Sequence, residues 1–214
     1  MKKKYWLILL VTILVLVGGI YFLKKGFKTE KNGNNKDSQK IVDYILNLNS
    51  YETQITVTVN SNKNNNKYII KQMYQKPNAS SQEIVEPSNI AGVKIQYDGT
   101  NLKIENSQLS LEKILENYEY ITDNCLDLSS FIEDYNTSNE SKYEEKNGEI
   151  IMKTNSKLEN IYLKEKALHI SKETGLPIKM EIIDNKQKSI IYILYNEVKI
   201  NYYVIVLSLL QIKI

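Results

Sequence analysis

The chain has 214 residues with 28 basic and 25 acidic side chains, every basic one a lysine, and a formal charge of +3. Six of those lysines (2, 3, 4, 24, 25 and 28) flank one apolar run, so the 22 that remain are outnumbered by the acids, and the basic face of a nucleic-acid binder is excluded. The single cysteine, Cys125, rules out an intrachain disulfide and leaves stability to the hydrophobic core.

The run from Tyr5 to Leu23, YWLILLVTILVLVGGIYFL, carries no charge. As a helix rising about 1.5 Å per residue it nearly matches a hydrocarbon core of about 30 Å. Three readings fit it: a spanning anchor, a cleaved signal peptide and a lipoprotein signal. Signal peptides carry shorter apolar stretches, and here the run continues through Ile20, Tyr21, Phe22 and Leu23 past the small residues Val17, Gly18 and Gly19, so the uncleaved anchor is preferred. Leu16-Val17-Gly18-Gly19 has the form of a lipobox in which Gly19 replaces the acylated cysteine. Basic flanks near both ends almost tie. The charge of the amino terminus then favours an N-terminus in the cytoplasm and the large domain outside.

An anchor over residues 1–28 is followed by a polar, Asn-rich tether at 29–37 and a domain at 38–201. Asp37 or Ser38 can cap a helix carrying Ile41, Val42, Ile45 and Leu46 at spacings of three and four. Tyr51, Thr53, Ile55, Val57 and Val59 then alternate with polar residues, which predicts a strand buried on one face. Further strands are predicted at Tyr68 to Gln75, Gln82 to Glu86, Val93 to Tyr97 and Asn101 to Glu105, with Asp98-Gly99 as a tight turn. Between Ser110 and Tyr135 the period shifts to that of two helices, one with Leu111, Ile114 and Leu115 and one with Leu126, Leu128, Phe131, Ile132 and Tyr135. Strands resume at Gly148 to Thr154, Asn160 to Lys164, Ala167 to Ser171, Ile178 to Ile183 and Ser189 to Val198. The sum is an α+β domain on one strongly curved antiparallel sheet, its interior either a packed core or an elongated apolar cavity. The segment 202–214 opens with YYVIVLSLL, too short to span a bilayer; a buried last strand and a truncated terminus both fit it.

Catalytic chemistry finds little material. His169 is the only histidine, and alternation turns it away from the face of Leu168 and Ile170, as a surface residue of its strand. Cys125 beside Leu126 and Leu128 reads as a small buried apolar residue of a helix. Glu83 with Glu86 and Glu144 with Glu145 read as solvated faces. No metal, cofactor or catalytic set is assigned, and the protein is expected not to be an enzyme.

Several ordered features together resemble a known family. They are Ser50-Tyr51, Tyr74 with Pro77, Glu83-Ile84-Val85-Glu86-Pro87, Gly92, Tyr97-Asp98-Gly99, Phe131-Ile132-Glu133-Asp134-Tyr135, Thr174-Gly175-Leu176-Pro177 and Tyr195-Asn196-Glu197-Val198. From about Tyr51 to Val198 the chain resembles the LolA-like domains of Gram-positive spore formers, in particular the GerS family of germination lipoproteins. The resemblance implies an incomplete antiparallel barrel closed by helices, no catalytic residues, and a role in germination as a membrane-held partner of a cortex-processing amidase. LolA-type carriers imply the alternative, acyl chains of a lipid or lipoprotein held in the apolar interior. Gly19, where the family has its lipidated cysteine, departs from the pattern, and a spanning helix would then replace the lipid.

Overall fold

A computed structural model describes residues 36–61, 64–118, 125–160, 163–186 and 188–201, apart from the side chains of 36 and 157–160. The run Tyr5 to Leu23, the tether up to 35 and the segment 202–214 lie outside the described residues. Among the described residues no helix is long and apolar enough to cross a membrane.

Helix α1 (Lys36–Leu46) begins two residues before the predicted domain boundary and buries Val42 and Ile45. The chain then enters β1 (Ser50–Asn60), whose alternation sends Tyr51, Ile55 and Val57 into the core. A meander follows: β2 (Asn65–Gln75), β3 (Ala79–Glu86), β4 (Val93–Tyr97), β5 (Leu102–Asn106) and β6 (Leu111–Leu115). Helix α2 (Leu128–Thr137) separates it from a second meander of β7 (Lys142–Lys146), β8 (Glu149–Asn160), β9 (Leu163–Ser171), β10 (Pro177–Ile183) and β11 (Ser189–Ile200). Every pairing is antiparallel, and the eleven strands form one open sheet in the order β6-β5-β4-β3-β2-β1-β11-β10-β9-β8-β7. β1 and β11 therefore meet in the middle, with Ile55 opposite Tyr195 and Val57 opposite Ile193, while β6 and β7 form the two edges.

Two expectations from the sequence are corrected. The first of the two predicted inserted helices is strand β6. Its apolar residues 111, 114 and 115 fit a helical stripe, but Asn106 Oδ1 accepts hydrogen bonds from the amides of Gln108 and Leu109 and turns the chain back onto β5. The separate strand expected at Asn160 to Lys164 is the far end of β8 and the start of β9. Strand β7 was not expected, because KYEEK holds one apolar residue in five.

The core lies on one face of the sheet, between the strands and both helices. Register fixes that face across the centre: Ile70 lies opposite Ile55, Ile193 opposite Val57 and Met180 opposite Ile193, and the row continues through Leu168 and Met152. These side chains pack with Val42, Ile45, Leu128 and Phe131 of the helices in one continuous cluster. Lys166 belongs to the same buried face, with its Nζ 2.7 Å from Asp134 Oδ2 and donating to Ser130 Oγ at 2.9 Å. Ser38 of α1 donates to Glu145 Oε2 of β7, and Tyr143 OH donates to Gln39 Oε1.

Gly92 holds the corner before β4. Its amide donates to Ile84 O and its carbonyl accepts from the amide of Ser107, at a φ of 80°. A Cβ there would stand 2.5 Å from Ser107 Oγ, whereas one at Gly148, φ 79°, would meet nothing within 4 Å. Both changes to alanine incur about 1–2 kcal/mol of left-handed strain. Thermal unfolding is expected to show the larger loss for Gly92→Ala, since Ser107 must also move; equal losses would show that the corner is not tightly packed.

Candidate interaction site

The polar ends of α2 and the uncovered wing of the sheet are the places where this fold departs from a sealed core. Asp127, at the N-cap of α2, is buried and accepts a 2.6 Å hydrogen bond from Gln82 Nε2, while Gln72 Nε2 donates to Leu126 O. These two bonds hold the start of α2 over β2 and β3. Tyr51 and Tyr195 reach the same region from the centre of the sheet. Burial pushes the Tyr51 hydroxyl well above its usual pKa, and the Asp127 carboxylate and Tyr195 push it further, against hydrogen bonds involving Ser129 and the backbone of Leu128. Burial, with Asp127 second, also raises Tyr195, whose hydroxyl has no hydrogen-bond partner among the described residues. These phenols stay neutral at physiological pH and serve as fixed dipoles.

Beside this cluster lies a cavity of about 290 Å³ between α2 and the sheet, with Tyr74, Lys76, Asn78, Asp127, Ser129 and Glu133 among its walls. Its walls are mixed in polarity and include two carboxylates. That composition suits a hydrophilic group better than an acyl chain, which would have to desolvate them.

Toward β6 the same face of the sheet loses its helical cover. Register places Val93, Ile95 and Tyr97 of β4 opposite Asn106, Ile104 and Leu102 of β5, with Leu111 and Leu115 beyond them on β6. Ile95 and Leu111 on this face, Leu109 in the turn and Ile114 on the opposite face are four of the six exposed large hydrophobic residues described. The opposite face of this wing is charged, and Lys103 Nζ bridges Glu105 at 2.9 Å and Glu112 at 3.0 Å. Charge is thus paired on that face, whereas Ile95 and Leu111 stand exposed on the other. The sequence had shown apolar residues here without showing that they end the sheet.

The residues weighed for chemistry are dispersed. His169 faces away from Leu168 and Ile170 as alternation requires, but its side chain is only 13% exposed, because Nδ1 lies 2.8 Å from Glu149 Oε2 and Nε2 is 3.8 Å from Glu181 Oε1. It sits among carboxylates, not beside a nucleophile. Cys125 is partly buried in a turn ahead of α2, not within a helix. Glu144 pairs with Lys153 and Glu145 with Lys172, and each partner's hydrogen bond holds its carboxyl below the usual range. Glu83 lies on the outer, charged face opposite Lys71 and Lys94, whereas Glu86 is exposed at the end of β3. Among the described residues no group of three or more His, Cys, Asp or Glu side chains converges as a metal site.

The model of the family described as "Sporulation protein YdcC-like" matches residues 2–204, from the apolar N-terminal run to the end of β11. The chain belongs to the YdcC-like sporulation proteins. Among solved structures, it is similar to one of the CwlD amidase from Clostridioides difficile in complex with the GerS lipoprotein, at 25% identity over 78% of this chain and 94% of that one, TM-score 0.49. A LolA superfamily protein from Nitrosomonas europaea is similar at 11% identity over 78% and 94%, TM-score 0.40. The complex of MucA and MucB from Pseudomonas aeruginosa is similar at 11% identity over 78% of this chain and 56% of that one, TM-score 0.44. No curated protein matches the sequence. For this YdcC-like chain, the family and the open sheet with helices on one face agree with the resemblance read from its motifs.

Proposed function

We propose that this YdcC-like protein is a non-enzymatic interaction module of sporulation, held at the cell membrane and binding another protein of the envelope or spore. The observation that carries the reading is the family match, which takes in the apolar run and the whole sheet domain together. In this reading residues 1–28 form a single-pass anchor, 29–37 a tether, and the domain from 38 to 201 stands on the extracytoplasmic side. The GerS-like motifs, from Ser50-Tyr51 to Tyr195-Asn196-Glu197-Val198, point to a cortex-processing amidase as the class of partner. Support for a binding role also comes from the side chains: the one histidine is engaged with carboxylates, while apolar surface is left at one end of the sheet.

The test is affinity capture of the full-length, tagged chain from sporulating cells, with bound protein and bound lipid both identified. One stoichiometric envelope or spore protein is expected. Lipid alone would replace the reading with that of an acyl carrier, and neither protein nor lipid would remove it.

A further inference from the structure

The two edges of the sheet are built differently. Strand β7 carries Lys142, Glu144, Glu145 and Lys146, and its one apolar side chain, Tyr143, packs against the core and bonds to α1. Charges of that kind protect an edge from pairing with another chain. Strand β6 carries two charges, Glu112 and Lys113, but leaves apolar side chains exposed on both faces. It presents Leu111 on one face and Ile114 on the other, 61% and 50% exposed, and Leu109 in the turn before it is 64% exposed. Its only neighbour among the described strands is β5, so its outer backbone groups have no strand partner there.

We propose that β6 is a docking edge that accepts an extended segment of a partner protein as a twelfth, antiparallel strand. This deepens the interaction reading above and rests on it. Backbone pairing would supply affinity, and the side chains of β6 would set which segment fits. Leu111, Lys113 and Leu115 share one face, and Glu112 and Ile114 the other. A segment opposite them, read from its own N-terminus, needs apolar, apolar, acidic, basic and apolar residues in turn. The acid meets Lys113, for which no ion pair is found among the described residues, and the base adds to the Lys103 bridge at Glu112.

A second copy of this chain fits poorly. In a symmetric antiparallel pair the residue on the twofold axis meets itself. Centring on Glu112 sets two carboxylates opposite each other, and centring on Lys113 sets two ammonium groups opposite. Centring on Ile114 sets Glu112 against Glu116 of the second copy. Registers centred on Leu111 or Leu115 run out at Ser110 and Asn117, where the backbone turns with φ of 51° and 50°. Like charges directly opposite destabilise a pair, so the edge selects a different sequence. An anionic bilayer fits poorly as well, because Glu112 and Glu116 flank the single Lys113.

The probe is a synthetic peptide of about nine residues, a Val-Ile-Glu-Lys-Val centre with two threonines on either side, a length that covers a strand of this size. It is titrated by fluorescence anisotropy against the full chain in detergent micelles. A second peptide has lysine in place of the glutamate. The first is expected to bind about tenfold more tightly, the swing from a favourable to a like-charge cross-strand pair. Lys113→Glu, at an exposed site, should reverse that order, and hydrogen exchange of the 111–115 amides should slow when peptide is present. Equal binding, no binding, or an order unchanged by Lys113→Glu would overturn the proposal. So would slowing of those amides by phosphatidylglycerol vesicles alone, or by self-association without peptide. Capture of a partner from cells through another surface would leave the interaction reading standing while this edge failed.

Discussion

Replacing Lys166 with alanine is expected to lower the unfolding free energy of the domain by about 3–5 kcal/mol, because it leaves a buried carboxylate without its counter-charge. The side chains of Lys166 and Asp134 are only 1% and 6% exposed, and their 2.7 Å ion pair joins β9 to α2 through the core. Ser130 accepts a second hydrogen bond from the same ammonium group. The double change Lys166→Met with Asp134→Leu is expected to recover most of that loss, since packed apolar residues often replace a buried pair at no net cost. Denaturant unfolding of the full chain measures both. If the single change costs less than about 1 kcal/mol, the ammonium and carboxylate are hydrated in solution and the helix is held by packing alone.

Phe131→Ala should be comparably severe, about 3–5 kcal/mol, the usual range for an aromatic side chain deleted from a core. Phe131 is fully buried on the sheet-facing side of α2, with its ring centroid 5.9 Å from that of Tyr135. Ile132, one residue on, is only partly buried and lines the mixed-polarity cavity beside α2 instead. Removal of Phe131 therefore loosens α2 from the sheet and disturbs the Asp127 cluster that the helix holds over β2 and β3. Hydrogen exchange should show faster opening of α2 and of the centre of β2 than of β7. A uniform increase across the sheet would mean that α2 is not a separable cover.

How much of this was legible in the sequence depends on what each segment buries. β1 was readable because one face is core and the other wet, so Tyr51, Ile55 and Val57 alternate with polar residues. β11 was readable for a different reason, an unbroken apolar run from Ile190 to Tyr195 in which all but Leu194 are β-branched or aromatic. β6 was not, since five residues with apolar groups at 111, 114 and 115 satisfy both periods, and the Asn106 turn that decides between them lies outside the strand. β7 was hidden by its charges, which belong to an edge and not to a core strand. His169 was read correctly in its facing but not in its surroundings, because Glu149 and Glu181 arrive from neighbouring strands. The docking edge could not have been found at all from local pattern, for an edge is defined by which strands fail to pair beyond it.

The seam at the middle of the sheet has a kinetic consequence. Each meander is assembled from strands that follow one another closely, so β1 to β6 and β7 to β11 can zip through local contacts as they are made. Among the strand pairings, only the union of β1 with β11 joins residues far apart in the chain, as in Tyr51 with Ile200 and the amide of Asn201 with Ser50 O. Closing that long loop carries the entropic cost that slows folding. During synthesis the first half must wait with one flank of β1 unpaired until the last strand emerges, so the apolar row Tyr51, Ile55 and Val57 is the part of the nascent protein most in need of shelter.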